Sequence, residues 1–565
     1  GRRATQQPSS MVRITTTAAH TSAVRLCALM FFFAFLGNVI DGPVMWMLSP
    51  PPGGFRAQAL VLLNQLALIP ALVCVVKPSW WPCLALCWHA WYVTFSHGGP
   101  WFFDGFDTML LEVGFLCVAL AITLTLFDRE ENVPSAETLH EEMRLPLLLC
   151  SREDERQKDA LQGFPKGSSD AHLQLQDMVP CSYAVRWTRA LAEVSLTLVA
   201  FRLFFACGLY KLRGGAPCWR DLTCLYDFFE MQPCPTLLSW YLHTYTPHSA
   251  MKVMQFFSIN LAELVAPCLL LCINRRRLLG HKDGPVSFMA ASPVQACAAA
   301  AIMTFVLGIF MSGNFAFLHP LSVVPLVASM GTAGSIPMVA KRESGTPCRQ
   351  AAVRYYRAVA PAVVAGMLVF AFLPSLKAYA WMLHGSYSTG PLMDPLMESR
   401  IVKEAEGMYL GIPYNRHDYF ANGLLHERNE LIIFADLGND QVELSIPYKV
   451  GRLDRMPQQT SPLHRRFAWQ WLFLTLSGNS VVGSAAVPAW FTRFVEKLCE
   501  GDETAWAAVE HTTANGRLPE LKRIIVQLYR YEFAEPGSRQ FWTRASYGNV
   551  SWSGLGTTQL VQVCK

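Results

Sequence analysis

Nine long stretches of mostly apolar residues constrain what this chain can fold into more than any other feature of its sequence. A helix needs about 20 such residues to cross the roughly 30 Å apolar core of a bilayer. Only 16% of the residues are charged, whereas a soluble globular chain carries roughly 25%. The sequence therefore predicts a multi-pass α-helical membrane bundle of about nine spans. The predicted spans are residues 26–47, 56–76, 79–98, 106–127, 186–211, 252–273, 287–311, 320–340 and 356–383.

The apolar stretches end near residue 384, and residues 385–565 predict a soluble C-terminal domain that is α+β or β-rich. Two segments of alternating apolar residues flank a Gly-Asn-Asp turn, which is typical of a β-hairpin. An aromatic-rich segment around Trp469 and an amphipathic segment that begins with proline indicate helices. A β-branched and aromatic segment indicates another strand. These elements are the hairpin strands 430–437 and 441–448, the proline-initiated helix 488–499 and the strand Arg523–Phe533.

Changes in composition divide the chain into five segments. The first 40 residues contain arginine, serine and threonine but no acidic residue, a pattern typical of a mitochondrial transit peptide. An ordinary basic tail before the first membrane helix fits the same residues, and both interpretations stay open. The segments are 1–25, a basic tail or transit-like segment; 26–127, a first transmembrane group; 128–183, a charged polar loop; 184–384, a second transmembrane group with a non-cytosolic loop at 212–250; and 385–565, the soluble domain.

Short loops rich in lysine and arginine set the predicted orientation, because such loops stay on the cytosolic or matrix side. One such loop contains three consecutive arginines at 275–277, and a second contains Lys341 and Arg342. The loop 212–250 and the C-terminal domain are then expected on the opposite side, in the endoplasmic reticulum lumen or the intermembrane space.

A dense group of polar and aromatic residues directly follows the predicted span 186–211. Charges near a bilayer edge need partners or contact with lipid headgroups, so the group indicates a membrane helix that runs into a structured loop. Its members are Lys211, Arg213, Cys218, Trp219, Arg220, Asp221 and Cys224.

The two cysteines of this loop have several possible roles. A disulfide between Cys218 and Cys224 is plausible in an oxidising compartment, with free thiols as the open alternative. A redox-active pair is disfavoured because the spacing is not Cys-x-x-Cys. A zinc site that adds Cys234, His243 and His248 fits no standard ligand pattern. We therefore predict no metal and no cofactor.

Ionisable residues inside the predicted spans are functional candidates by default, because burying an unpaired charge in a membrane is costly. Those of interest are Asp107, Glu112, Arg202 and Glu263. We expect the first two to pair with Lys211 and Arg213, which surface on the same side. We expect Glu263 to pair with Arg202. Structural pairing is favoured over proton or substrate handling.

Separated motifs along the chain resemble the lipase maturation factor family. The resemblance runs from about residue 80 to residue 550, and its most specific part is the loop after the fifth span. The motifs are Cys218-Trp219-Arg220-Asp221-Leu222-Thr223-Cys224, Glu230 with Gln232 and Pro233, Tyr241-Leu242-His243, Ser312-Gly313-Asn314, and Arg428 with Glu430.

This resemblance implies a non-enzymatic membrane protein of the endoplasmic reticulum that helps homodimeric lipases to fold and assemble. Its partners would be a lipase client, bound by the loop 212–250 and the C-terminal domain, and membrane lipids. A fainter similarity to the membrane regions of vitamin K-dependent carboxylases keeps an enzyme as a minor alternative.

The sequence has no phosphate-binding loop, no nucleophile elbow and no His-Glu-x-x-His motif, so an enzyme interpretation rests on nothing specific. A net charge of +5 over 565 residues, without a basic stripe, argues against nucleic acid as a partner. The main alternative to the lipase role is a structural accessory subunit of a large membrane complex, such as one of the mitochondrial inner membrane. The acid-free N-terminal segment and the charged loop 128–183 motivate that alternative.

Overall fold

The structure is a computed structural model of the whole chain. It describes residues 16–51, 57–102, 105–131, 169–213, 215–232, 234–271, 293–330, 347–386, 388–408, 410, 427–438, 441–475, 488–510, 521–546 and 559–564. The basic loops at 275–277 and 341–342, and residues 132–168 of the predicted charged loop, lie outside this part of the chain.

The N-terminal two thirds of the chain is a helical bundle. Its described helices are α1 (Thr16–Leu48), α2 (Ala57–Val76), α3 (Trp81–His97), α4 (Gly105–Glu131), α5 (Ser169–Arg213), α6 (Pro217–Arg220), α7 (Cys224–Met231), α8 (Leu237–Tyr245), α9 (His248–Phe257), α10 (Ala266–Leu270), α11 (Pro293–Ser312), α12 (Leu318–Ser329) and α13 (Pro347–His384). A π-helical stretch, Ser258–Val265, joins α9 to α10 without a break.

Among the described residues, seven helical segments are long and apolar enough to cross a membrane. They are Ala19–Leu48, Ala57–Val76, Gly105–Thr125, Thr188–Arg213, His248–Leu270, Val294–Ser312 and Val359–His384. The other two predicted spans correspond to α3, with 17 residues, and α12, with 12. At 1.5 Å per residue, α12 is about 18 Å long, well short of the roughly 30 Å bilayer core.

Several boundaries differ from the sequence prediction. Helix α13 begins at Pro347 rather than at residue 356, and α4 continues to Glu131, inside the predicted charged loop. The first helix begins at Thr16 rather than at residue 26, because its early turns are anchored by buried His20, whose Nδ1 accepts a hydrogen bond from Arg189 Nε at 3.0 Å. Helix α5 begins at Ser169, so residues 169–183 are helical rather than part of the charged loop. Once an apolar helix exists, extending it into polar sequence adds one hydrogen bond per residue, and polarity alone does not stop it.

Contacts between helices show which helix ends lie together. Thr125 of α4 donates to Ser79 O at 2.6 Å, and Trp91 of α3 donates to Asp107 O at 3.2 Å, so α3 and α4 are antiparallel. Helices α5 and α13 are parallel, because Tyr379 donates to Leu198 O at 3.2 Å and Arg213 to Met382 O at 2.8 Å.

The C-terminal part forms an antiparallel sheet covered by short helices. The strands are β1 (Arg428–Asp436), β2 (Gln441–Leu444), β3 (Arg523–Phe533), β4 (Trp542–Ser546) and β5 (Gln559–Val563). The order is β2-β1-β3, and β4 and β5 pair with different halves of the far edge of β3. The helices are α14 (Asp394–Met397), α15 (Arg400–Gly407), α16 (Arg466–Phe473), α17 (Ala489–Cys499) and α18 (Glu503–Ala507).

The predicted elements of this region are confirmed, except that the second hairpin strand ends at Leu444 rather than at residue 448, because Ser445 pairs with Glu510 instead. The hairpin pairs Asp436 with Gln441 across the Gly438 turn, where Gly438 has φ +95°, a backbone conformation that favours glycine. The expected helix before residue 499 is α17, and the expected strand is β3 over the same residues. A disulfide from Cys499 of α17 to Cys564 beyond β5, absent from the sequence predictions, fastens the last described strand.

The membrane helices and the sheet share one apolar core rather than packing as separate bodies. Trp101, between α3 and α4, lies 5.4 Å from Trp490 of α17, measured between ring centroids. Phe106 of α4 lies 5.7 Å from Trp469 of α16. The end of the bundle where α3 meets α4 therefore packs directly against the C-terminal domain.

Candidate functional site

The loop between α5 and α9 folds into three short helices, α6 to α8, which we call the junction layer (residues 217–247). The Cys218–Cys224 disulfide closes its first turn, with Cα atoms 4.8 Å apart. Gln255 of α9 lies beneath this turn. Its amide donates to Cys218 O and Trp219 O at 3.1 Å, and its carbonyl accepts from Leu225 N at 2.8 Å. One buried side chain thus satisfies backbone groups at two helix ends.

Arg428 of β1 fixes the junction layer to the sheet. Its guanidinium donates to Glu230 O and Gln232 O, both at 2.7 Å, and pairs with Glu430 at 2.8 Å. Lys449 approaches the other oxygen of Glu430 at 2.7 Å. All three charged side chains are at least 96% buried. Charges this deep are tolerated only when paired and hydrogen-bonded, so the arrangement requires the layer and the sheet to stay together.

A carboxylate of the layer points back at the sheet. Glu230 Oε2 accepts a hydrogen bond from Phe533 N of β3 at 2.9 Å. Burial raises the pKa of Glu230 to about 7, although the Phe533 N–H and nearby Arg428 oppose that rise. His243 Nε2 lies 3.9 Å from the same oxygen, and burial lowers the pKa of His243.

The loop after α11 forms the third contact between bundle and domain. Asn314 donates to Cys234 O at 3.3 Å and to Gln458 O at 3.2 Å, and it accepts from Thr460 N at 2.8 Å. A Cβ on Gly313 would lie 1.8 Å from Gln232 Oε1. A larger residue where the end of α11 crosses the junction layer would therefore require the Gln232 amide and the Phe315 ring to move.

A buried arginine joins α16 to the membrane helices. Arg466 makes two bonds to the Asp107 carboxylate, at 2.7 and 3.0 Å, and also donates to Asn38 Oδ1 at 2.7 Å and Trp101 O at 2.8 Å. Its guanidinium stacks 3.8 Å from the Phe102 ring centroid. Both charged side chains are at least 99% buried. The bidentate geometry makes this the most completely paired charge among the contacts described between the two parts.

Comparison with known proteins places the chain in a family. A family model described as the lipase maturation factor transmembrane domain matches residues 181–282, and one described as the lipase maturation factor C-terminal domain matches residues 414–551. The chain belongs to the lipase maturation factor family. The two matched segments supply opposite sides of the Glu230–Arg428 contact, so the family match spans both halves of the junction.

Curated members of the lipase maturation factor family align along most of this chain. Lipase maturation factor 1 of Homo sapiens is 24% identical over 485 residues, which cover 82% of this chain and 69% of the relative. The protein of the same name from Mus musculus is 24% identical over 89% of this chain and 75% of its own length. Lipase maturation factor 2 of Homo sapiens is 23% identical over 90% of this chain and 74% of its own. No solved structure matches the chain.

The ion pairs inside this family member differ from those expected. Arg202 contacts Glu112 and Ser375, and Lys211 pairs with Glu263 at 2.5 Å. Asp107 pairs with Arg466 instead of with the basic residues at the end of α5. Arg202 and Lys211 are nine residues apart on one helix, or about 14 Å, so they reach carboxylates at different depths.

Other residues of the predicted loop motif have separate positions. Trp219 is buried, and the Lys211 ammonium lies 4.8 Å from its ring centroid. Arg213 donates to Met382 O at 2.8 Å. Arg220 and Asp221 are exposed on the layer, where a role for them stays a prediction.

Sequence reasoning missed the two arginines at the start of α16, Arg465 at its N-cap and Arg466 as its first residue. Arg466 meets Asp107, and its neighbour Arg465 pairs with Asp41 of α1 at 2.9 Å. The available signal was two adjacent arginines before an aromatic helix, together with Asn38 and Asp41 inside an apolar span. Isolated polar residues of opposite character in separate apolar segments are candidates for one shared site.

The charged residues of the site join the bundle to the sheet. In the residues that the structure covers, no three His, Cys, Asp or Glu side chains are grouped so that they could hold a metal ion. The buried charges of the junction contact one another, backbone groups or, for Arg466, the Asn38 side chain. Such a network stabilises a defined relation between the bundle and the sheet.

Proposed function

We propose that this family member is a non-enzymatic membrane protein that assists the folding and assembly of lipases. The observation that carries the proposal is the pair of family matches, which meet at the junction. Its relatives are named for lipase maturation. The endoplasmic reticulum membrane is the corresponding location, with a lipase as the protein partner. No relative or contact described above favours the mitochondrial alternative.

We place the client-binding surface on helix α8 of the junction layer. Leu237, Tyr241 and Tyr245 are spaced four residues apart and lie along one exposed face of this helix, with exposed fractions of 47%, 49% and 58%. The two tyrosine rings stack with centroids 5.9 Å apart. Aromatic side chains that lose little conformational freedom are the usual anchors of protein interfaces.

Contacts of α8 with the sheet and with α11 support this assignment. Trp240 lies beside this face, with its ring 5.0 Å from that of Tyr241 and 5.8 Å from that of Tyr245, and it packs 5.4 Å from Phe541 of the C-terminal domain. Ser239 donates to Ser312 O of α11. The aromatic face is therefore held by both the bundle and the sheet, so a client would meet a surface that is already ordered before binding.

The experiment is rescue of lipase secretion in cells whose own lipase maturation factors have been deleted. We expect the wild-type chain to restore the activity of a co-expressed homodimeric lipase in the medium. The double variant Tyr241→Ser/Tyr245→Ser should lose most of this rescue while being expressed at the wild-type level, because both side chains are exposed.

The matched control is Leu392→Ser, since Leu392 is 88% exposed and lies outside the layer. Its rescue should equal that of the wild type. Failure of the wild-type chain to restore any lipase activity would overturn the proposed function. Full rescue by the tyrosine variant would overturn only the assignment of the binding surface.

A further inference from the structure

A large cavity lies at the junction end of the bundle, where Leu238 and Leu242 of α8 line it next to the exposed Leu237–Tyr245 face. Its volume is about 640 Å³, within the range of small-molecule sites. Its walls come from α5, from α9 with the π-helical stretch, and from α11 and α12, with further residues from α7, α8 and α13, and most are aliphatic or aromatic. Representative lining residues are Phe204, Phe257, Leu261 and Ile309. Phe257 and Leu261 are 54% and 44% exposed, so the cavity opens to the outside of the bundle.

One end of this cavity is polar. Lys211 and Glu263 both line it and pair with each other at 2.5 Å, and the Lys211 ammonium also faces Trp219. Glu263 is 96% buried. Lys211 occupies Oε1, whereas Oε2 has no hydrogen-bond partner among the residues that the structure describes. A buried carboxylate oxygen without a donor is costly, so the site is built to accept one more hydrogen bond.

The backbone around Glu263 is adapted to this position. Glu263 lies in the π-helical stretch, and such turns are rare and often occur at functional sites. Gly208 of α5 allows the two helices to approach, since a Cβ there would be 2.8 Å from Glu263 Cβ.

We propose that this cavity binds an uncharged lipid alcohol whose hydroxyl donates to Glu263 Oε2. The Lys211–Glu263 pair has no net charge, so a neutral headgroup fits it without adding an unpaired charge. A fatty acid would bring a second carboxylate against Glu263, and an ammonium lipid would compete with Lys211. The apolar walls would enclose the hydrocarbon body, which enters from the surrounding bilayer.

The test uses photoreactive, alkyne-tagged octadecanol and the octadecanoic acid that carries the same tag. Each is added to the purified full-length protein in phosphatidylcholine nanodiscs, and cross-linked peptides are identified by mass spectrometry. We expect the alcohol to label peptides from α9 and α11 in a saturable manner that untagged octadecanol displaces. Labelling by the acid should be weaker by a factor of about ten or more. This is the difference expected from the loss of one hydrogen bond to a charged group.

Two helical glycines provide a matched pair of variants. Gly308 lines the cavity and Gly366 of α13 is not among its lining residues, and a Cβ at either position meets nothing within 4 Å. Gly308→Phe should therefore place a ring at the cavity wall, where its Cβ meets no other atom, and reduce alcohol labelling by about ten-fold. Gly366→Phe should leave the labelling unchanged.

A third variant tests the headgroup contact. Glu263→Gln removes the negative charge beside Lys211, so it should raise labelling by the acid relative to the alcohol. Non-saturable labelling, unaffected by Gly308→Phe, would mean that ordinary bilayer lipid covers the cavity and would overturn the proposal. Equal labelling by alcohol and acid in the wild type would overturn the role of Glu263. Neither result bears on lipase rescue.

Discussion

Removal of Arg466 is the most informative perturbation of the junction. The Arg466→Met variant keeps a long apolar side chain but leaves the Asp107 carboxylate buried without its partner. Breaking a buried ion pair from one side costs about 3–5 kcal/mol. At about 2–4 °C per kcal/mol for a domain of 150–250 residues, the melting temperature should fall by roughly 6–20 °C.

The assay is thermal unfolding of the purified protein in detergent, followed by tryptophan fluorescence. Trp101 and Trp490, which pack on each other beside this site, should report loss of the contact directly. The control is Arg400→Met, because Arg400 forms an exposed pair with Glu404 and its side chain is 93% exposed. Exposed pairs contribute about 0–1 kcal/mol. A melting temperature of Arg466→Met within about 2 °C of that of Arg400→Met, a difference on the order of the loss of one surface ion pair, would refute the reasoning.

Three further predictions concern the same junction. Glu230 has a folded-state pKa of about 7 against an unfolded value of 4.5, so its carboxyl should contribute a rise in stability of up to about 3 kcal/mol as pH falls from 7 to 4.5. Glu230→Gln, compared with wild type by chemical denaturation at each pH, should lose this rise, whereas parallel curves would contradict it. Gly313→Ala should lower the melting temperature, because its Cβ meets Gln232, while Gly366→Ala should not; equal melting of the two would count against the close approach. Cys499→Ser should lower the free energy of unfolding by about 4 kcal/mol, given a sequence separation of 65 between the bonded cysteines, and limited proteolysis should then release the C-terminal peptide; unchanged cleavage would argue against the bond.

The type and order of the elements could be predicted from the sequence where a local pattern was strong. Strand β3 and the hairpin β1–β2 were predictable because alternating residues and a Gly turn act within a few positions. Long apolar stretches gave the membrane helices for the same reason. The short length of α12 was harder to predict, because an apolar composition suits both a membrane span and a helix buried inside the bundle. The residues of α12 are mostly buried.

The partners of the buried charges could not be predicted from sequence. Asp107 and Arg466 are 359 positions apart, and composition gives no register between helices so distant. The expected pairing of Arg202 with Glu263 failed because the close approach at Gly208 brings Lys211, not Arg202, to the π-helical stretch. The resemblance named Glu230, Asn314 and Arg428 in three separate motifs. Only the fold shows that the three motifs contact one another.

Cross-linking of the junction layer to the sheet tests most directly whether these two parts of the chain pack together on the same side of the membrane. Trp240→Cys and Phe541→Cys place thiols where the two rings now pack at 5.4 Å. In intact membranes, a short bismaleimide should join the two positions within one chain, and neither single variant should give that product. Modification of the two cysteines from opposite sides of the membrane, with no cross-link between them, would contradict the account.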